Sequence, residues 1–451
     1  MENFDVVVVG AGTAGCMAAK TIATAGLNVC LVDRKEEKSI GDKVCGDAIG
    51  KHHFDNLGLA YPKGEELERD ILGAKIYSPD LKTVFRLVGE GLTGFIVNRY
   101  LFGQRLLKDA INAGAVLLDS THVLEPIVEN DFVKGVLAEN LKKGLKTELR
   151  GKVVIDASGF SAVVRSKLPP EMGIEQTISK EDYVICYREI RELKKEPEEP
   201  EFIKMYLDLE VAPGGYCWIF PERGTRVNVG LGVSAVEDFQ NPRNQLYKYV
   251  LSKQIFEESI LIHGGGGYDP TRRPLDSLVG NGVVIIGDAA CQVNPIDGGG
   301  IGPSMIGGKI AGDIIAEALE KGEPNRESLW SINIHYMKTY GAKQAGLDVF
   351  RIFLQRLTNE DLNYGMRYKL FKEEDVLKAG LYGDVHLNVT DATQRVFKGL
   401  RRLSFLKKLY KMAKMSKEVK MLYGDYPDSP EKMPEWETKV QELFIKVKKS
   451  L

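Results

Sequence analysis

Hydrophobic and polar residues alternate in the segment YCWIFPERGTRVNVGLG, which covers residues 216–232. Because side chains alternate between the two faces of a strand, Tyr216, Trp218 and Phe220 would lie on one face. Similar alternation over residues 74–88, in DYVICYREI and in FIKMYLDLEV predicts further strands, with turn residues between them. These patterns predict an antiparallel sheet in the middle of the chain.

The first residues show a different pattern, in the segment FDVVVVGAGTAGCMAAKTIATAGLNVCLVDRK. Its apolar run over residues 6–9 predicts a buried strand over residues 5–9, and the alanine-rich stretch that follows predicts a helix to about residue 25. Gly26 then ends the helix, and a second strand over residues 28–32 ends at Asp33. Strand, helix and strand in this order predict a nucleotide-binding unit.

Three glycines between the first strand and the helix have the spacing G-x-G-x-x-G. Gly10 permits the tight turn, Gly12 lets a pyrophosphate approach the backbone, and Gly15 permits close packing of the helix on the strand. The amino terminus of the helix offers free N–H groups to phosphates. Asp33 is placed to accept hydrogen bonds from ribose hydroxyls and repels a 2′-phosphate, which favours FAD or NAD over NADP.

Three later segments supply further landmarks. NRYLFGQRLLKDAINAGAV predicts a helix with Arg99 at its entry. VVIDASGFSAVVRSKL predicts a strand that ends at Asp156, and GVVIIGDAACQVNPIDGGGIGPSM predicts another buried strand ahead of Asp288. After the glycine run of residues 298–300, we expect a helix over about residues 303–319.

In this order, the motifs G-x-G-x-x-G, D-x-S-G-x-S-x-x-x-R and G-D-A with its later G-G-G resemble the flavoprotein hydroxylase group typified by para-hydroxybenzoate hydroxylase. The resemblance implies that FAD is the cofactor and that Asp288 hydrogen-bonds its ribityl and pyrophosphate region. It also implies that N–H groups of residues 298–300 lie close to the flavin N1 and O2 edge. The dipole of the following helix would stabilise the anionic reduced flavin.

Two further features resemble geranylgeranyl reductases. The pattern Y-x-W-x-F-P stands eight residues before Gly230-x-Gly232, and the loop GDKVCGDAIG is similar to the cysteine-containing segment of that family. The resemblance covers residues 1 to about 350. It implies saturation of prenyl double bonds, either in archaeal-type digeranylgeranyl glycerol lipids or in geranylgeranyl groups of chlorophyll and quinone precursors. Of these we expect the archaeal-type membrane ether lipid precursors.

The resemblance implies an α/β fold, with a Rossmann-type FAD-binding domain interleaved with an antiparallel β-sheet substrate domain. The periodicity after about Gly322 adds a helical C-terminal region. The expected boundaries are residues 1–70, 98–170 and 271–322 for the FAD-binding domain, residues 71–97 and 171–270 for the substrate domain, and residues 323–451 for the helical region.

The resemblance also implies which residues contact cofactor and substrate. The expected FAD contacts are Gly10, Gly12, Ala14, Gly15, Asp33, Cys45, Gly46, Ala48, Arg99, Val123, Asp288, Gly299, Gly300 and Ile301. In the resembled fold the sheet covers the flavin, so Tyr216, Trp218 and Phe220 would face the substrate cavity. An aromatic tunnel suits a polyprenyl chain, because each buried CH₂ contributes about 0.8 kcal/mol and the rings shelter positive charge at an alkene carbon. The alternative is that the rings pack in the core beneath the sheet.

The proton donor is not determined by the sequence. Cys45 is the candidate catalytic residue if its loop lies beside the flavin, and the alternative is a small packing residue. His52 and His53, as lone histidines, are expected at the surface or in caps. The spacing leaves open whether Cys291 approaches Cys45.

The electron donor is equally open. The sequence contains no second strand–G-x-G-x-x-G–helix unit for a nicotinamide. HGGGGYDP, residues 263–270, is expected to be a flexible loop. Direct docking of NAD(P)H and a ferredoxin-like donor protein are both candidates.

Composition narrows the class of protein. The 451 residues hold 61 basic and 63 acidic side chains, so the whole chain has no signature of nucleic-acid binding. Six cysteines are scattered without metal-ligand spacing, which favours reduced thiols in an intracellular protein and no metal site. No apolar run is long enough to span a bilayer, and a strand pattern from Phe4 leaves no room for a signal peptide. We therefore expect a cytoplasmic protein, with at most peripheral attachment to a membrane.

The segment TQRVFKGLRRLSFLKKLYKMAKMSKEVK is the most basic part of the chain. Residues 395–420 contain ten Lys or Arg and one acid, Glu418. The apolar residues with three- and four-residue spacing are Val396, Leu400, Leu403, Leu406, Tyr410 and Ala413. Such a helix can lie on an anionic membrane surface. The alternative is a surface helix packed on the core with a solvated basic face.

Other activities occur on the same type of scaffold. A flavin-dependent monooxygenase or halogenase is the alternative function, since halogenases share a comparable W-x-W-x-I-P motif. They place that motif in the first-domain region and add an essential lysine, for which this sequence shows no equivalent. A non-catalytic flavoprotein that docks on membranes is a third class, but the flavin and pocket motifs favour an enzyme.

Overall fold

The structure is a computed structural model that describes residues 2–89, 91–236, 240–322, 324–383 and 402–450. Its strands are β1 (Glu2–Val9), β2 (Val29–Val32), β3 (Ala48–Gly50), β4 (Leu67–Ile71), β5 (Gly73–Tyr77), β6 (Val84–Val88), β7 (Gly94–Val97), β8 (Val116–Leu118), β9 (Thr121–Glu129), β10 (Phe132–Asn140), β11 (Leu145–Asp156), β12 (Val184–Glu192), β13 (Phe202–Tyr206), β14 (Cys217–Pro221), β15 (Arg226–Ser234), β16 (Ile260–Asp269), β17 (Val279–Gly280) and β18 (Val283–Ile285).

The helices of the described residues lie between the strands and, above all, after them. They are α1 (Thr13–Thr24), α2 (Lys51–Leu57), α3 (Arg99–Asn112), α4 (Pro242–Gln245), α5 (Ile301–Lys321), α6 (Arg326–Leu329), α7 (Ser331–Tyr336), α8 (Ala342–Leu354), α9 (Asn359–Arg367), α10 (Glu373–Tyr382), α11 (Leu403–Gly424) and α12 (Met433–Ser450). The helices predicted after the two glycine runs, α1 and α5, are both present, and they pack against each other.

An eight-stranded sheet carries the nucleotide-binding unit. Its strand order is β17-β18-β11-β1-β2-β8, with β10 paired to β11 and β9 paired to β10. β1 is parallel to both β11 and β2, because helix α1 and a longer crossover return the chain to the same edge. Val6, Val7 and Val8 are fully buried, as the continuous apolar run predicts for a strand covered on both faces. The Rossmann-type arrangement is confirmed.

A seven-stranded sheet, in the order β16-β12-β15-β14-β13-β5-β6, forms the second layer. The predicted antiparallel pairing holds between all neighbours except β13 and β5, which are parallel. These two strands are far apart in the sequence, so no hairpin forces them into opposite directions. β14, which carries Trp218 and Phe220 and directly follows Tyr216, lies inside the sheet and is buried along its whole length.

The glycine-rich segment of residues 263–270 is not a loop, and that prediction was wrong. It forms most of β16, an edge strand whose residues 264–267 pair with residues 186–189 of β12. Glycine weakens a strand through its backbone entropy, but a neighbour that offers a continuous row of backbone partners outweighs this cost. A turn prediction based on glycine content could not include that neighbour.

A short sheet, β3-β7-β4, lies between these layers and had no counterpart among the predicted elements. Its first strand, β3, directly follows the loop that contains Cys45 and pairs with β7 from Ala48 to Gly50. The sheet therefore fixes the loop at its carboxyl end. The domain boundaries expected from the sequence stay a prediction.

The region after residue 323 is helical in all of its described parts, and no described helix there or elsewhere is long and apolar enough to cross a bilayer. Helix α11 packs on α8 through an apolar face that includes Leu409, Met412 and Val419. Of the apolar face predicted for this helix, Leu406 is buried and Tyr410 and Ala413 are half-buried, whereas Leu403 is 47% exposed. Val396 and Leu400 lie outside the described residues. The alternative, a helix packed on the core with a solvated basic face, describes α11.

Candidate functional site

The loop between β1 and α1 has the geometry that its glycines imply. Gly10 has a φ of +105°, and a Cβ there would lie 2.4 Å from the carbonyl oxygen of Ala157. A Cβ on Gly15 would lie 1.9 Å from the carbonyl oxygen of Gly10, so the helix approaches the loop only without a side chain. Around Gly12 nothing lies within 4 Å, which leaves open space beside the helix amino terminus. That space is where a pyrophosphate would approach.

Asp33 closes this loop from the end of β2. Its carboxylate accepts hydrogen bonds from the backbone N–H groups of Ala11 and Lys35, both at 2.8 Å. The start of β9 reaches the same place, because the Thr121 N–H donates to the Asp33 carbonyl at 2.8 Å. Val123 follows two residues later on β9. The residues expected to bind the adenosine half are therefore grouped at one edge of the eight-stranded sheet.

A single cavity of about 440 Å³ connects the nucleotide-binding layer with the seven-stranded sheet. Its volume is in the range of small-molecule sites. Thr13, between Gly12 and Ala14, contributes to its lining and joins it to the glycine loop. The residues expected from the sequence that line it are Cys45, Gly46, Ala48, Arg99, Tyr216, Trp218, Phe220, Asp288, Gly299, Gly300 and Ile301. Gly10, Gly12, Ala14, Gly15, Asp33 and Val123 are not among its lining residues.

Two features of the cavity test whether its residues fit FAD. The guanidinium of Arg99 is buried in the wall, and its Nε and Nη1 atoms have no hydrogen-bond partner among the described residues. Unpaired buried donors fit a bound phosphate group. At the start of α5, Gly300 offers no side-chain cap, so the first N–H groups of the helix are free to meet a flavin edge. Both features match the cofactor that the sequence motifs predict.

Asp288 stands between these two features, in the short turn after β18. Its Oδ2 atom lies 2.7 Å from Nζ of Lys43, and this ion pair raises the pKa of Lys43. A Cβ on Gly300 would lie 3.4 Å from Oδ1 of the same carboxylate. Asp288 and the glycine run therefore lie against each other, as the resemblance implied for the ribityl and flavin region.

Trp218 and Phe220 of β14, with Tyr216 directly before the strand, form one wall of the cavity. Trp218 and Phe220 are also buried in a small apolar cluster with Ile71 and Ile96. The ring centroids of Tyr216 and Trp218 are 5.9 Å apart, and those of Trp218 and Phe220 are 6.2 Å apart. Between them, Cys217 and Ile219 face the opposite side and belong to a separate apolar cluster. The alternation of the strand therefore separates a cavity face from a core face.

Glycines around this wall have a steric reason. Gly230 lies opposite Trp218 on β15, and a Cβ there would come within 2.5 Å of the indole ring. A Cβ on Gly46 would come within 2.9 Å of the Phe220 ring. The G-x-G pattern downstream of the aromatic motif thus makes room for the indole, and Gly46 lets the Cys45 loop lie against the wall.

Cys45 and Asp47 flank Gly46 in this loop. Burial, with the nearby Asp47 carboxylate, raises the pKa of the Cys45 thiol to about 11. The thiol is therefore protonated at neutral pH and is not a reactive thiolate. Asp47 has a φ of +62°, and burial raises the pKa of its carboxyl to about 7 although Arg188 and Arg99 lower it.

The structure adds residues that the sequence did not assign. Asp47 lines the cavity, and the resemblance had pointed to this loop through Cys45, Gly46 and Ala48 but not through Asp47. His52 and His53 also line it, so the expectation that they lie at the surface or in caps was wrong. A Cβ on Gly302 would lie 2.2 Å from the His53 ring, and burial lowers the pKa of His53 to about 3. This tertiary contact between α2 and α5 has no sequence pattern.

Cys291 does not join Cys45. It is fully buried and is not a lining residue of the cavity, whereas Cys186 of β12 is. Charge on Cys45 contributes to the raised pKa of Cys186, so these two thiols are electrostatic neighbours. The described residues contain no disulfide and no group of side chains with the arrangement of a metal site.

The chain has a parallel sheet with a glycine-rich phosphate turn, a second glycine run, and a substrate sheet on the other side of one cavity. Together these features define the class of FAD-binding flavoprotein oxidoreductases. The geranylgeranyl reductase catalytic domain model matches residues 182–268, and the glucose inhibited division protein A model matches residues 5–160. Digeranylgeranylglycerophospholipid reductase of Sulfolobus acidocaldarius is 44% identical over 100% of this chain and 99% of its own length. The chain belongs to the geranylgeranyl reductase family, and its cofactor is FAD.

Other relatives agree with this assignment. Digeranylgeranylglycerophospholipid reductase of Methanothrix thermoacetophila is 34% identical over 84% of this chain and 94% of that protein. A geranylgeranyl bacteriochlorophyll reductase-like protein from Thermoplasma acidophilum has the same fold, with a TM-score of 0.77 and 22% identity over 91% of this chain and 100% of its own. The myxobacterial chondrochloren halogenase, with a TM-score of 0.63 and 16% identity over 88% of this chain and 97% of its own, shares the fold alone.

Proposed function

We propose that this protein is an FAD-dependent reductase that saturates the double bonds of geranylgeranyl groups in membrane ether lipid precursors of the archaeal type. The observation that carries the proposal is the aromatic wall of β14, which faces the same cavity as Asp288 and the glycine run. The sequence relatives named above, which align along nearly the whole chain, support the same substrate class.

The proposed flavin contacts come from two parts of the chain, the nucleotide-binding sheet and the segments that line the cavity. Gly12, Ala14 and Gly15 would hold the pyrophosphate against the start of α1, with Arg99 opposite. Asp33 and the Val123 backbone would hold the adenosine half. The loop residues Cys45, Gly46 and Ala48 and the group Asp288, Gly299, Gly300 and Ile301 would lie along the ribityl chain and the ring system.

When it is bound and reduced, FAD supplies a hydride to one alkene carbon of the substrate. The chain must hold the alkene in place and exclude water, because an isolated alkene is a poor electrophile. Tyr216, Trp218 and Phe220 offer ring faces to the positive charge that develops at the other carbon. The Tyr216 hydroxyl does not take part in this stabilisation, since it donates a hydrogen bond to the Asp297 carbonyl oxygen at 2.6 Å.

The second alkene carbon needs a proton. Cys45 is the proposed donor: its thiol lines the cavity and keeps its proton at neutral pH. Asp47, two residues away in the same loop, has a carboxyl that is close to half protonated at neutral pH and can return a proton to the thiol. Cys45→Ala should then slow the reoxidation of reduced flavin by lipid without changing FAD content.

Two partners complete the proposal. The electron donor is NAD(P)H or a ferredoxin-like protein, and the rate of anaerobic flavin reduction by each compound distinguishes them. The exposed basic face of α11 would attach the protein to the anionic surface of the membrane from the cytoplasmic side, because its apolar face is occupied by α8. Attachment would then be electrostatic and would not require insertion of the helix.

An anaerobic experiment tests the reductase function. The purified holoprotein is photoreduced, a geranylgeranyl lipid is added, and flavin reoxidation and product mass are followed. A gain of two mass units per double bond supports the reductase, whereas an oxygen-dependent gain of sixteen would establish the monooxygenase alternative. Trp218→Ala should lower lipid turnover at unchanged FAD content. Ile219→Ala, on the same strand but facing the core, is the matched control and should retain turnover.

A further inference from the structure

One face of helix α8 and of the turn before it lines the cavity with a lysine and with apolar side chains beside it. Tyr340, Lys343, Leu347 and Phe350 recur at intervals of three and four residues and all line the cavity. This spacing places them on the same side of the helix. The apolar residues Leu347 and Phe350 follow Lys343 on this face, and Arg351 and Gln355 line the cavity again at the carboxyl end of α8.

Lys343 differs from the other cations of the cavity wall. Lys43 forms an ion pair with Asp288 at 2.7 Å, and Arg351 forms one with Asp348 at 2.7 Å. Arg99 lies where the flavin pyrophosphate is proposed. Lys343 is half-buried and forms no ion pair with any carboxylate of the described residues. A cation withdrawn from water without a counter-ion favours the binding of an anion.

In this part of the cavity, Lys343 is the side chain that carries a positive charge and can donate hydrogen bonds to an anion. Its Nζ atom lies 5.1 Å from the centroid of the Tyr340 ring. Burial lowers the pKa of Lys343 to about 8; the charge of Asp297 opposes this effect and that of Lys420 adds to it. His52 and His53 interact with Lys343, and burial lowers the pKa of each, so both rings are neutral near pH 7.

The remainder of the wall is suited to hydrocarbon. Leu377 and Leu381 of α10 line the cavity next to the apolar part of α8, and Ile76 and Leu87 of the seven-stranded sheet continue the lining. Helix α10 ends beside Lys343, because a Cβ on Gly383 would lie 2.9 Å from the Lys343 Cα. The cavity thus has, at Lys343, a cation without an ion-pair partner among the described carboxylates beside an apolar surface.

We propose that Lys343 binds the phosphate group at the polar end of the lipid substrate and thereby positions the isoprenoid chain along the apolar wall. This proposal rests on the proposed function and adds to it a preference for a phosphorylated lipid over an uncharged one. A lysine ammonium is a compact charge with three donors, which suits a phosphate oxygen that arrives in more than one orientation.

The charge of Lys343 gives the preference a pH dependence. Below about pH 8 the ammonium is protonated and attracts phosphate, and above it the attraction is lost. The groups that face it are Asp297, His52, His53, Tyr340 and Lys420. The histidines are already neutral near pH 7, and the pKa of Tyr340 is raised by burial, so neither changes charge around pH 8.

The test compares two substrates of equal chain length, a digeranylgeranylglycerol phosphate-type phospholipid and the uncharged digeranylgeranylglycerol. In Lys343→Met the ratio of kcat/KM for the phospholipid to that for the alcohol should fall at least tenfold, through KM. Lys343→Arg keeps the charge and should restore most of the ratio. Lys338→Met, an exposed lysine five residues earlier, should leave the ratio unchanged.

Each result bears on the proposal. An equal loss for both lipids in Lys343→Met, or no loss, would overturn it while leaving the reductase function intact. If the unaltered protein reduces neither lipid, the proposed function itself fails. Inorganic phosphate should compete with the phospholipid and not with the alcohol. If phosphate instead accelerates reduction of the alcohol, Lys343 binds a free phosphate ion, and the proposal that it binds the lipid headgroup is wrong.

Discussion

The indole N–H of Trp218 donates a hydrogen bond of 2.9 Å to the side-chain oxygen of Asn228, and both residues are buried. The amide nitrogen of Asn228 in turn donates to the Cys45 carbonyl and to the Asp47 carboxylate, each at 2.8 Å. One buried amide therefore ties the aromatic wall of β14 to the loop that carries the proposed proton donor. The positions of substrate wall and loop are coupled.

Removing this tie should damage both the fold and turnover. Asn228→Ala leaves the Trp218 N–H, the Cys45 carbonyl and the Asp47 carboxyl without their partner. An unsatisfied buried group costs about 1–3 kcal/mol, so the free energy of unfolding should fall by roughly that amount. Lipid turnover should fall at least tenfold. Urea denaturation and the anaerobic assay measure these effects.

Asn244→Ala is the matched control, because Asn244 is exposed and starts no comparable network. It should leave stability and turnover at their original values. Parental turnover in a folded Asn228→Ala variant would show that the wall and the loop act independently.

FAD binding should depend on the open space at Gly12. Gly12→Ala places a methyl group where nothing lies within 4 Å, so the fold should persist while the cofactor loses its approach to the backbone. We expect FAD affinity to fall at least tenfold at nearly unchanged stability of the FAD-free protein. Flavin fluorescence on titration measures the affinity.

Gly424→Ala serves as the control, since its added methyl group also meets nothing within 4 Å and lies at the end of α11, outside the cavity lining. FAD affinity should be unchanged there. An unaltered affinity in Gly12→Ala would place the pyrophosphate elsewhere.

Asp47 should make stability depend on pH. Its pKa is raised to about 7 in the folded protein, so between about pH 4 and pH 7 the folded state binds more protons than the unfolded state. The contribution of this carboxyl to stability is full below that window and is lost as pH rises through it. Asp47→Asn removes the titration, and its stability relative to the unaltered protein should rise by on the order of 2 kcal/mol from pH 4 to pH 7.

Urea denaturation at both pH values gives this difference. Asparagine also tolerates the positive φ of this position, so strain should not obscure the result. Asp269, whose pKa burial raises to about 8, is present in both proteins and cancels. The charge of Asp47 contributes to the raised pKa of Glu222, so the change at Glu222 in Asp47→Asn acts in the same direction as the loss of the Asp47 carboxyl. A pH-independent difference would mean that the carboxyl is ionised throughout the range.

The preference of the enzyme for long prenyl chains should depend on the apolar side chains that line the cavity. Ala74 of β5 lines the cavity and is 7% exposed. Ala74→Leu fills space that two or three methylenes of substrate would use, and each buried CH₂ contributes about 0.8 kcal/mol. The ratio of kcat/KM for a geranylgeranyl lipid to that for a geranyl lipid should fall roughly tenfold or more.

The opposite change at the same wall, Ile203→Ala, enlarges the cavity and should not lower that ratio. Steady-state kinetics with both lipids measure it. Equal losses for short and long chains in Ala74→Leu would show that the prenyl chain does not reach β5.

Membrane attachment should depend on the exposed basic face of α11. Lys407, Lys408 and Lys411 line a surface groove and form no ion pair with any described carboxylate. Each cation near an anionic surface contributes about 1 kcal/mol, so changing all three to Glu should reduce binding to vesicles with anionic lipid by roughly a hundredfold. Vesicle sedimentation at low and high salt measures the binding.

A variant with the same net charge, Lys143→Glu with Lys146→Glu and Lys195→Glu, alters exposed lysines on other elements. It should bind nearly as well as the unaltered protein. If both triple variants lose binding equally, attachment reflects total charge and not the α11 face.

The nucleotide-binding unit was predictable from the sequence because its signals are local. The continuous apolar run specifies a buried strand, the glycines at fixed spacing specify a turn and a close approach, and the terminal acid specifies a hydrogen bond. All of these signals lie within about thirty residues. The alternation of Tyr216, Trp218 and Phe220 likewise specified one face of a strand. Gly264 and its neighbours show the limit of such signals, because only the partner strand β12 makes that segment a strand.

The sequence by itself therefore determined the nucleotide-binding unit, the shared face of Tyr216, Trp218 and Phe220, and the helical end of the chain, since each follows from residue spacing within a short segment. Only the tertiary structure decided that His53 enters the cavity, that Asn228 joins Trp218 to Asp47, and that α8 takes the apolar face of α11. The physical reason is that burial, pKa and the choice of packing partner depend on elements distant in sequence. No local pattern contains them.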